Sequence, residues 1–293
     1  MSEPRALVVC ADDYGLGPAV DAGILALAEA GRVSAVSCLT QVGDRARWAQ
    51  AARPLRALAL TQAGRLSVGL HFNLTEGAPA SAELAAHWPT LPSLSRLIVA
   101  AHLQRLPLAA IAREWQQQCD RFADALGHAP HFVDGHQHVH HLPGVREIVL
   151  AAAQALGIAV RSTGHVLGPG HAFKRRVIEA TGGRAMQRLL VERGLWHNTA
   201  MVGVHDFGPD ALASQAPRWF ASLRHVPTGP ALLFCHPAAS GPAAPSDAIM
   251  ACRVQEAAYL GGPAFAQDLA DAGLVASPFN APRRAALASS PVW

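Results

Sequence analysis

Carboxylate and imidazole side chains follow four strand-length apolar runs of the sequence, at the point where each run ends. In parallel α/β folds the carboxyl ends of the strands share one edge, and that edge carries the functional site. The sequence therefore predicts that these side chains converge on one pocket. They are Asp12 and Asp13 after residues 6–11, His71 after 66–70, Asp134, His136, His138 and His140 after 132–133, and His236 after 231–235.

The acidic pair has two interpretations. Adjacent side chains on a strand point to opposite sides, but this alternation fails where a strand becomes a loop, so both carboxylates can face one pocket. Alternatively, Asp12 or Asp13 caps a helix that begins after the turn at residues 14–18. The pair alone does not decide between a site and a helix cap.

The segment His136–His141 is the strongest local indication of a metal site. In an extended segment alternate imidazoles share a face at metal-ligand spacing, and Asp134 could orient one of them from behind. The alternative is a solvent-exposed tract that binds metal only adventitiously. For His71 and His236 the alternative is an imidazole that is simply hydrogen-bonded at the end of a strand.

The elements that must position these residues follow a β-α-β rhythm. Continuous apolar runs predict parallel strands covered on both faces, in an open doubly wound sheet or a closed barrel, and seven or eight repeats favour the barrel. We expect one α/β domain spanning residues 1–293. Predicted strands are 6–10, 35–39, 66–70, 132–133, 158–160, 200–204, 231–235 and 274–276; predicted helices are 18–30, 44–52, 108–126, 144–156, 184–193, 209–223 and 247–272.

Composition narrows the class of protein. The 293 residues are 51% hydrophobic and 15% charged, which is typical of a packed globular chain and excludes a disordered one. A net charge of +3 without basic runs gives no support to nucleic-acid binding. Because charged or polar residues break every apolar stretch, we expect no stable membrane insertion. Five cysteines without a paired motif, and no export signal, favour a reduced, cytoplasmic location.

Taken in order, these motifs resemble the YdjC-like carbohydrate deacetylases. The motifs are Ala-Asp-Asp-Tyr-Gly at 11–15, Gly-Leu-His-Phe-Asn-Leu-Thr at 69–75, Asp-Gly-His-Gln-His at 134–138 and Cys-His-Pro at 235–237. The resemblance covers most of the chain. It implies a distorted (β/α) barrel related to polysaccharide deacetylases, in a family that includes chitooligosaccharide deacetylases and a branch associated with hopanoid biosynthesis. Tyr14, Gly135 and Ala238 depart from the family pattern, which leaves the subgroup and substrate open.

The resemblance also implies roles for individual residues. Asp13, His71 and His136 would hold one divalent metal ion, with Mg²⁺ and Zn²⁺ ranked together. Asp12 would be the general base and His236 the general acid, with Arg161 as a candidate substrate contact. The C-terminal family pattern also includes Arg253 and Glu256, to which we assign no role.

The expected reaction is metal-dependent removal of the acetyl group from an N-acetylated sugar, either chitooligosaccharide-like or a lipid-linked glycan. One alternative is another metal hydrolase, a phosphoesterase or an amidohydrolase-like enzyme, which would recruit His138, His140 or Asp134 to a second ion. Another is a non-catalytic sugar-binding protein on an inherited barrel. A homodimer is possible, and the segments 75–106 and 164–197, predicted as loops, would shape the sugar pocket.

Overall fold

Eight strands form one curled sheet in the computed structural model, which describes residues 4–280 except 209–210, 225, 227–228 and 242–246. Seven strands lie in the order β5-β4-β3-β2-β1-β7-β6, and β8 pairs with β1. All of these pairings are parallel. The strands are β1 (Arg5–Tyr14), β2 (Ala35–Cys38), β3 (Ser67–Phe72), β4 (Phe132–Gly135), β5 (Ala159–Val160), β6 (Ala200–Val202), β7 (Ala231–Cys235) and β8 (Leu274–Ala276).

The sheet curls into an incomplete barrel rather than staying open. Its two edge strands, β5 and β6, are short, and the gap between them is spanned by isolated parallel bridges from Val160 to His197 and from Val166 to Met201. The predicted α/β barrel with mostly parallel strands is thus confirmed, in a distorted form. All eight predicted strands are present within a few residues of their expected bounds.

Eleven α-helices are present in the described part of the chain, and the longer ones match the predicted apolar periodicity. The helices are α1 (Pro18–Glu29), α2 (Arg45–Thr61), α3 (Ala82–His87), α4 (Leu94–His102), α5 (Leu108–Leu126), α6 (Val145–Leu156), α7 (Ala172–Ile178), α8 (Arg184–Glu192), α9 (Ala211–Leu223), α10 (Met250–Gly261) and α11 (Pro263–Asp271).

Three helix predictions need correction. The segments 75–106 and 164–197 are not loops throughout, since they contain α3, α4 and α7, besides α8, which was predicted at 184–193. The helix predicted at 247–272 is two helices, because Gly262 has an extended backbone and Pro263 starts α11. Helix α2 runs past Pro54 to Thr61, where the prediction ended at residue 52.

The barrel interior and the layer beneath the helices form the core. Val8, Cys10, Phe132, Leu232 and Phe234 form one buried cluster on the concave face of the sheet. A larger cluster packs the opposite face of the sheet against the helices. Burial on both faces explains why the strands are continuously apolar. Over the residues that are described, no helix is long and apolar enough to cross a membrane.

Candidate active site

The carboxyl end of β1 turns both aspartates toward one cavity. Asp13 has a left-handed backbone, with φ of 73°, and the register between β1 and β2 shifts between Ala11 and Tyr14. This irregularity breaks the alternation of side chains, so Asp12 and Asp13 both line the cavity. The capping alternative is excluded, because the N-cap of α1 is Gly17 and no side chain caps it.

Asp13, His71 and His136 come together at the carboxyl ends of β1, β3 and β4. One ligand atom from each lies within 4.8 Å of the other two. Asp13 Oδ1 is 3.3 Å from His71 Nε2 and 3.0 Å from His136 Nδ1. The structure therefore brings together the three residues that the resemblance implied as ligands, although they are remote in sequence.

His71 is oriented by a carboxylate on its far side. Its Nδ1 lies 2.7 Å from Asp134 Oδ1, which also accepts a hydrogen bond from the Ser37 hydroxyl. This contact leaves Nε2 directed at Asp13. A carboxylate behind a histidine is the arrangement that fixes the ring and tautomer of a metal ligand. We expected Asp134 to orient a histidine of the 136–141 segment, whereas it orients His71. Ser37 was not predicted, because it lies in an apolar strand.

Charges around the group perturb its acids and bases. Burial alone would raise the pKa of Asp13, but His136, Arg253 and hydrogen bonds from the imidazoles hold it well below its usual range. Burial alone would lower the pKa of His71, yet Asp134 and the neighbouring aspartates raise it to about 10. Asp13 is therefore ionised, as a metal ligand must be.

Asp12 is held by Arg161 from beneath the cavity. The guanidinium makes two hydrogen bonds to the carboxylate, Nη1 to Oδ2 at 2.7 Å and Nη2 to Oδ1 at 2.6 Å, and it also pairs with Asp134. Arg161 is fully buried and does not line the cavity. The structure thus places it where it orients Asp12, rather than at the substrate contact that we expected.

The histidine segment is not extended, which corrects our interpretation of its spacing. His136–His141 forms a short 3-10 turn in which Gln137 and His138 have left-handed backbones, with φ of 50° and 62°. Only His136 joins the ligand group. His138 and His141 line the cavity, and His141 Nδ1 also lies 2.7 Å from Thr163 Oγ1. His140 does not line it and is buried, with Nε2 2.9 Å from Arg161 O. The segment is therefore neither a solvent-exposed tract nor a shared face of ligands.

His236 follows β7 and lines the same cavity from the other side. Helix α10 holds its main chain, because Glu256 accepts a hydrogen bond from the His236 N–H and Arg253 Nη1 lies 3.5 Å from the His236 carbonyl oxygen. Arg253 also donates to Asp13 Oδ2 at 2.8 Å. The sequence does carry a signal for Arg253 and Glu256: these two charged residues, three positions apart, lie on the buried face of one helix.

The cavity has a volume of about 460 Å³. Asp12, Asp13, His71, His136 and His236 all line it. Apolar side chains from the loop after β1, from α4, from the segment after the histidine turn and from α7 form much of its remaining wall; they include Leu16, Leu94, Ile98, Leu142, Val177 and Ile178. Both helices, α4 and α7, lie in segments that we predicted as loops.

The donor set fits a divalent ion. Two imidazole nitrogens and one carboxylate oxygen suit Zn²⁺ and related ions, and Mg²⁺ binds where water fills the other positions. Two further clusters of potential ligands occur among the described residues, His205 with Cys252 and Glu256, and Cys10 with Asp12 and Asp134. The residues of both clusters are buried, and in the second cluster Arg161 pairs with both carboxylates. Of the three, the Asp13 group is the one that lies wholly on the cavity.

This fold and this site define a class: parallel α/β-barrel proteins with a candidate metal centre at the carboxyl ends of their strands. The chain belongs to the family described as YdjC-like protein, whose sequence model matches residues 6–271. The match spans the four motifs and all but the last of the described strands, so it includes every side chain of the site.

Two similar proteins are named carbohydrate deacetylase and chitooligosaccharide deacetylase. The chain is 34% identical to the mouse carbohydrate deacetylase over 259 residues, which are 81% of this chain and 79% of the mouse protein. It is 36% identical to a chitooligosaccharide deacetylase of Klebsiella pneumoniae over 164 residues, covering 54% of this chain and 59% of that protein.

A solved structure shares the fold. A crystal structure from Enterococcus faecalis, described as a cellobiose-phosphate cleavage protein, superposes with a TM-score of 0.71. The two are 18% identical, and the alignment covers 94% of this chain and 98% of the other. At this identity the likeness concerns the fold alone, and it supports the incomplete barrel described above.

Proposed function

We propose that this protein is a metal-dependent hydrolase that removes the acetyl group from an N-acetylated sugar. One observation carries the proposal: Asp13, His71 and His136 form a ligand group on a cavity that Asp12 and His236 also line. The names of the relatives, carbohydrate deacetylase and chitooligosaccharide deacetylase, support the substrate class. A chitooligosaccharide-like sugar and a lipid-linked glycan are the two forms of substrate to be compared.

The three ligands would hold one Mg²⁺ or Zn²⁺ ion. When bound, such an ion lowers the pKa of water and polarises the acetyl carbonyl. Asp13 brings the negative charge and the two imidazoles bring neutral nitrogen donors. Asp134 and Ser37 keep His71 in the orientation in which Nε2 faces Asp13. His138 and His140 lie outside the ligand group, which favours a site for one ion over a two-ion phosphoesterase site.

The proton transfers fall to Asp12 and His236. Asp12 accepts a proton from the attacking water, and the two hydrogen bonds from Arg161 fix the direction of its carboxylate. His236, on the other side of the cavity, donates a proton to the departing amine nitrogen, which is too basic to leave as an anion. Each positioned transfer contributes about 10²–10⁴-fold to the rate.

The test is acetate release from a panel of N-acetylglucosamine, chitooligosaccharides and alkyl N-acetylglucosaminides. Wild type should release acetate, a chelator should stop it, and Zn²⁺ or Mg²⁺ should restore it. Asp12→Asn should lose about 10²-fold or more of the rate and keep its metal. Asp120→Asn, an exposed aspartate on α5, should match wild type. Acetate release that survives chelation would contradict the proposal, as would hydrolysis of phosphate esters in place of acetamides.

A further inference from the structure

Glu256 is a buried carboxylate that the proposed reaction does not use directly. It is 1% exposed and accepts hydrogen bonds from two walls of the cavity. Oε2 accepts from the His236 main-chain N–H after β7, and Oε1 lies 3.0 Å from His205 Nε2 in the loop after β6. One side chain of α10 therefore ties together the ends of two neighbouring strands.

The hydrogen-bond pattern around His205 fixes its tautomer. Nδ1 of His205 accepts from the Phe207 N–H at 3.0 Å, so the ring proton lies on Nε2 and is donated to Glu256. His205 is 1% exposed and is held further by Lys174, which donates to its carbonyl oxygen at 2.8 Å. Glu256 thus accepts one bond through each of its two oxygens, whereas an amide has one oxygen and one N–H₂ group and cannot.

The His236 imidazole lacks the kind of support that His71 receives. No described residue hydrogen-bonds its buried Nδ1, whereas His71 Nδ1 faces Asp134. The ring instead makes T-shaped contacts with Phe207 and Phe234, with centroids 5.5 Å and 5.6 Å away. Its direction is therefore set through its main chain and through these aromatic rings.

We propose that Glu256 is a positioning residue that holds His236 in place for proton donation to the departing amine. This inference rests on the proposed function. Glu256 fixes the His236 N–H, and through His205 it also fixes the loop that presents Phe207 against the ring. Arg253, one turn earlier on α10, holds the carbonyl side of the same residue. The carboxylate also places a negative charge behind the ring that must become an imidazolium.

The first test is a double-mutant cycle on the N-acetylated sugar that wild type cleaves fastest. In Glu256→Gln the side-chain N–H₂ group would face one of the two donors, the His236 N–H or His205 Nε2, and that hydrogen bond would be lost. Because His236 would then be less well held, kcat should fall by about tenfold or more. In the His236→Gln background the same change should cost less than about twofold, because the group through which Glu256 acts is already lost. If the decreases in kcat caused by Glu256→Gln and His236→Gln multiply in the double variant, the two residues act independently and the proposal is overturned.

The second test uses the leaving group. Nitrophenolate departs without protonation, so Glu256→Gln and His236→Gln should keep their rates on nitrophenyl acetate within about threefold of wild type. A variant damaged in folding or metal binding would lose both activities together, and that result would contradict a positioning role. If wild type does not cleave the ester, the double-mutant cycle decides.

Glu114→Gln is the matched control. Glu114 is also completely buried and also accepts main-chain N–H bonds, from Ala80 and Ser81, but it belongs to α5 and does not contact His236. It should not change the ratio of amide to ester rates. Glu256→Asp keeps the charge and should recover part of the amide rate, which covers the case in which the glutamine variant does not fold.

Metal content separates the remaining outcomes. One ion per chain in wild type and in Glu256→Gln agrees with the hydrogen-bonding role. Two ions in wild type and one in the variant would mean that His205, Cys252 and Glu256 bind a second cation, and would overturn it. If wild type releases no acetate from any N-acetylated sugar, the proposed function itself is refuted. If wild type is active but the rate losses of Glu256→Gln and His236→Gln multiply in the double variant, only this inference is refuted.

Discussion

Arg161 shows how a single residue can stabilise the site without touching substrate. Its guanidinium is completely buried and is shared between Asp12 and Asp134, and the second of these orients His71. Two buried carboxylates so close together would repel each other without the cation between them. Burial alone would raise the pKa of Asp134, but Arg161 and His71 lower it to about 2. The proposed general base, Asp12, and the proposed metal ligand, His71, therefore depend on one arginine.

Arg161→Met should be strongly destabilising, because it leaves two buried carboxylates without their cation. We expect the free energy of unfolding in urea to fall by about 3–5 kcal/mol. Arg45→Met is the control, since Arg45 pairs with Asp124 at 3.0 Å with side chains 63% and 67% exposed, and such surface pairs contribute about 0–1 kcal/mol. Equal losses in the two variants would show that the buried cation adds no more than a surface ion pair.

The types of the site residues were predictable from the sequence, but their partners were not. Asp13, His71 and His136 each lie within three residues of the end of an apolar run. A position at the end of a strand can be recognised from the sequence in this way. The pairing of Arg161 with Asp12 joins residues 149 positions apart. Such a contact depends on which strands face each other across the barrel, and no local pattern reports that.

At the scale of elements, the site depends on departures from regular structure. The left-handed backbone of Asp13 and the left-handed pair in the histidine turn aim side chains that a regular strand would point elsewhere. Left-handed residues other than glycine are uncommon, and they persist where the surrounding structure imposes them. The strands were predicted, although β1, β3 and β4 run two to four residues past their expected ends. The extended geometry expected for residues 136–141 was wrong.

Helix α1 packs closely against the loop that carries His236. A Cβ atom on Gly23 would lie 2.4 Å from Ala239 N, and Ala239 N–H also donates to Ala19 O on the same helix. Both contacts are with main chain, so the loop itself would have to move. The position of His236 is thus coupled to the close approach that a glycine permits on α1.

Gly23→Ala should lower both stability and deacetylation, because it displaces the loop after His236. The overlap should cost about 1–3 kcal/mol in the free energy of unfolding, measured in urea, with a fall in kcat on the N-acetylated sugar. Gly261→Ala in α10 is the matched change, since its Cβ would meet only Leu27 at 3.6 Å. Alanine is favoured over glycine in helices by up to about 1 kcal/mol, so this variant should be neutral or more stable. A stable and fully active Gly23→Ala would contradict the coupling.

At the scale of the whole molecule, the barrel places residues from four strands at one edge. The apolar runs predicted the strands because parallel strands are buried on both faces. The strand order β5-β4-β3-β2-β1-β7-β6 was not predictable, since each apolar run fits several neighbours. Helices α4 and α7 supply part of the cavity wall and were not predicted. Helix α4 does carry a signal, since Ser93 is its N-cap and apolar residues recur at helical spacing from Leu94 to Ala101. Helix α7 has only seven residues, none of them buried, and therefore carries no such pattern.

Because the three ligands come from strands far apart in the chain, binding of an ion should stabilise the entire fold. A ligand that binds only the folded state adds about 2.7 kcal/mol at 100 times its Kd, which for a chain of this size is a rise of roughly 5 °C in Tm. We expect this rise in wild type and in His138→Ala, whose side chain lies in the same turn but outside the ligand group, and no rise in His136→Ala.

The rise in Tm should also shrink as the pH falls, because protons and the ion compete for the imidazole nitrogens. Carboxylates raise the pKa of His71 to about 10 in the ion-free protein, so ion binding displaces a proton and strengthens with increasing pH. Thermal melts at several pH values, with and without Zn²⁺ or Mg²⁺, measure the effect. An equal rise in His136→Ala would place the ion elsewhere, and a rise that does not depend on pH would mean that no imidazole binds it.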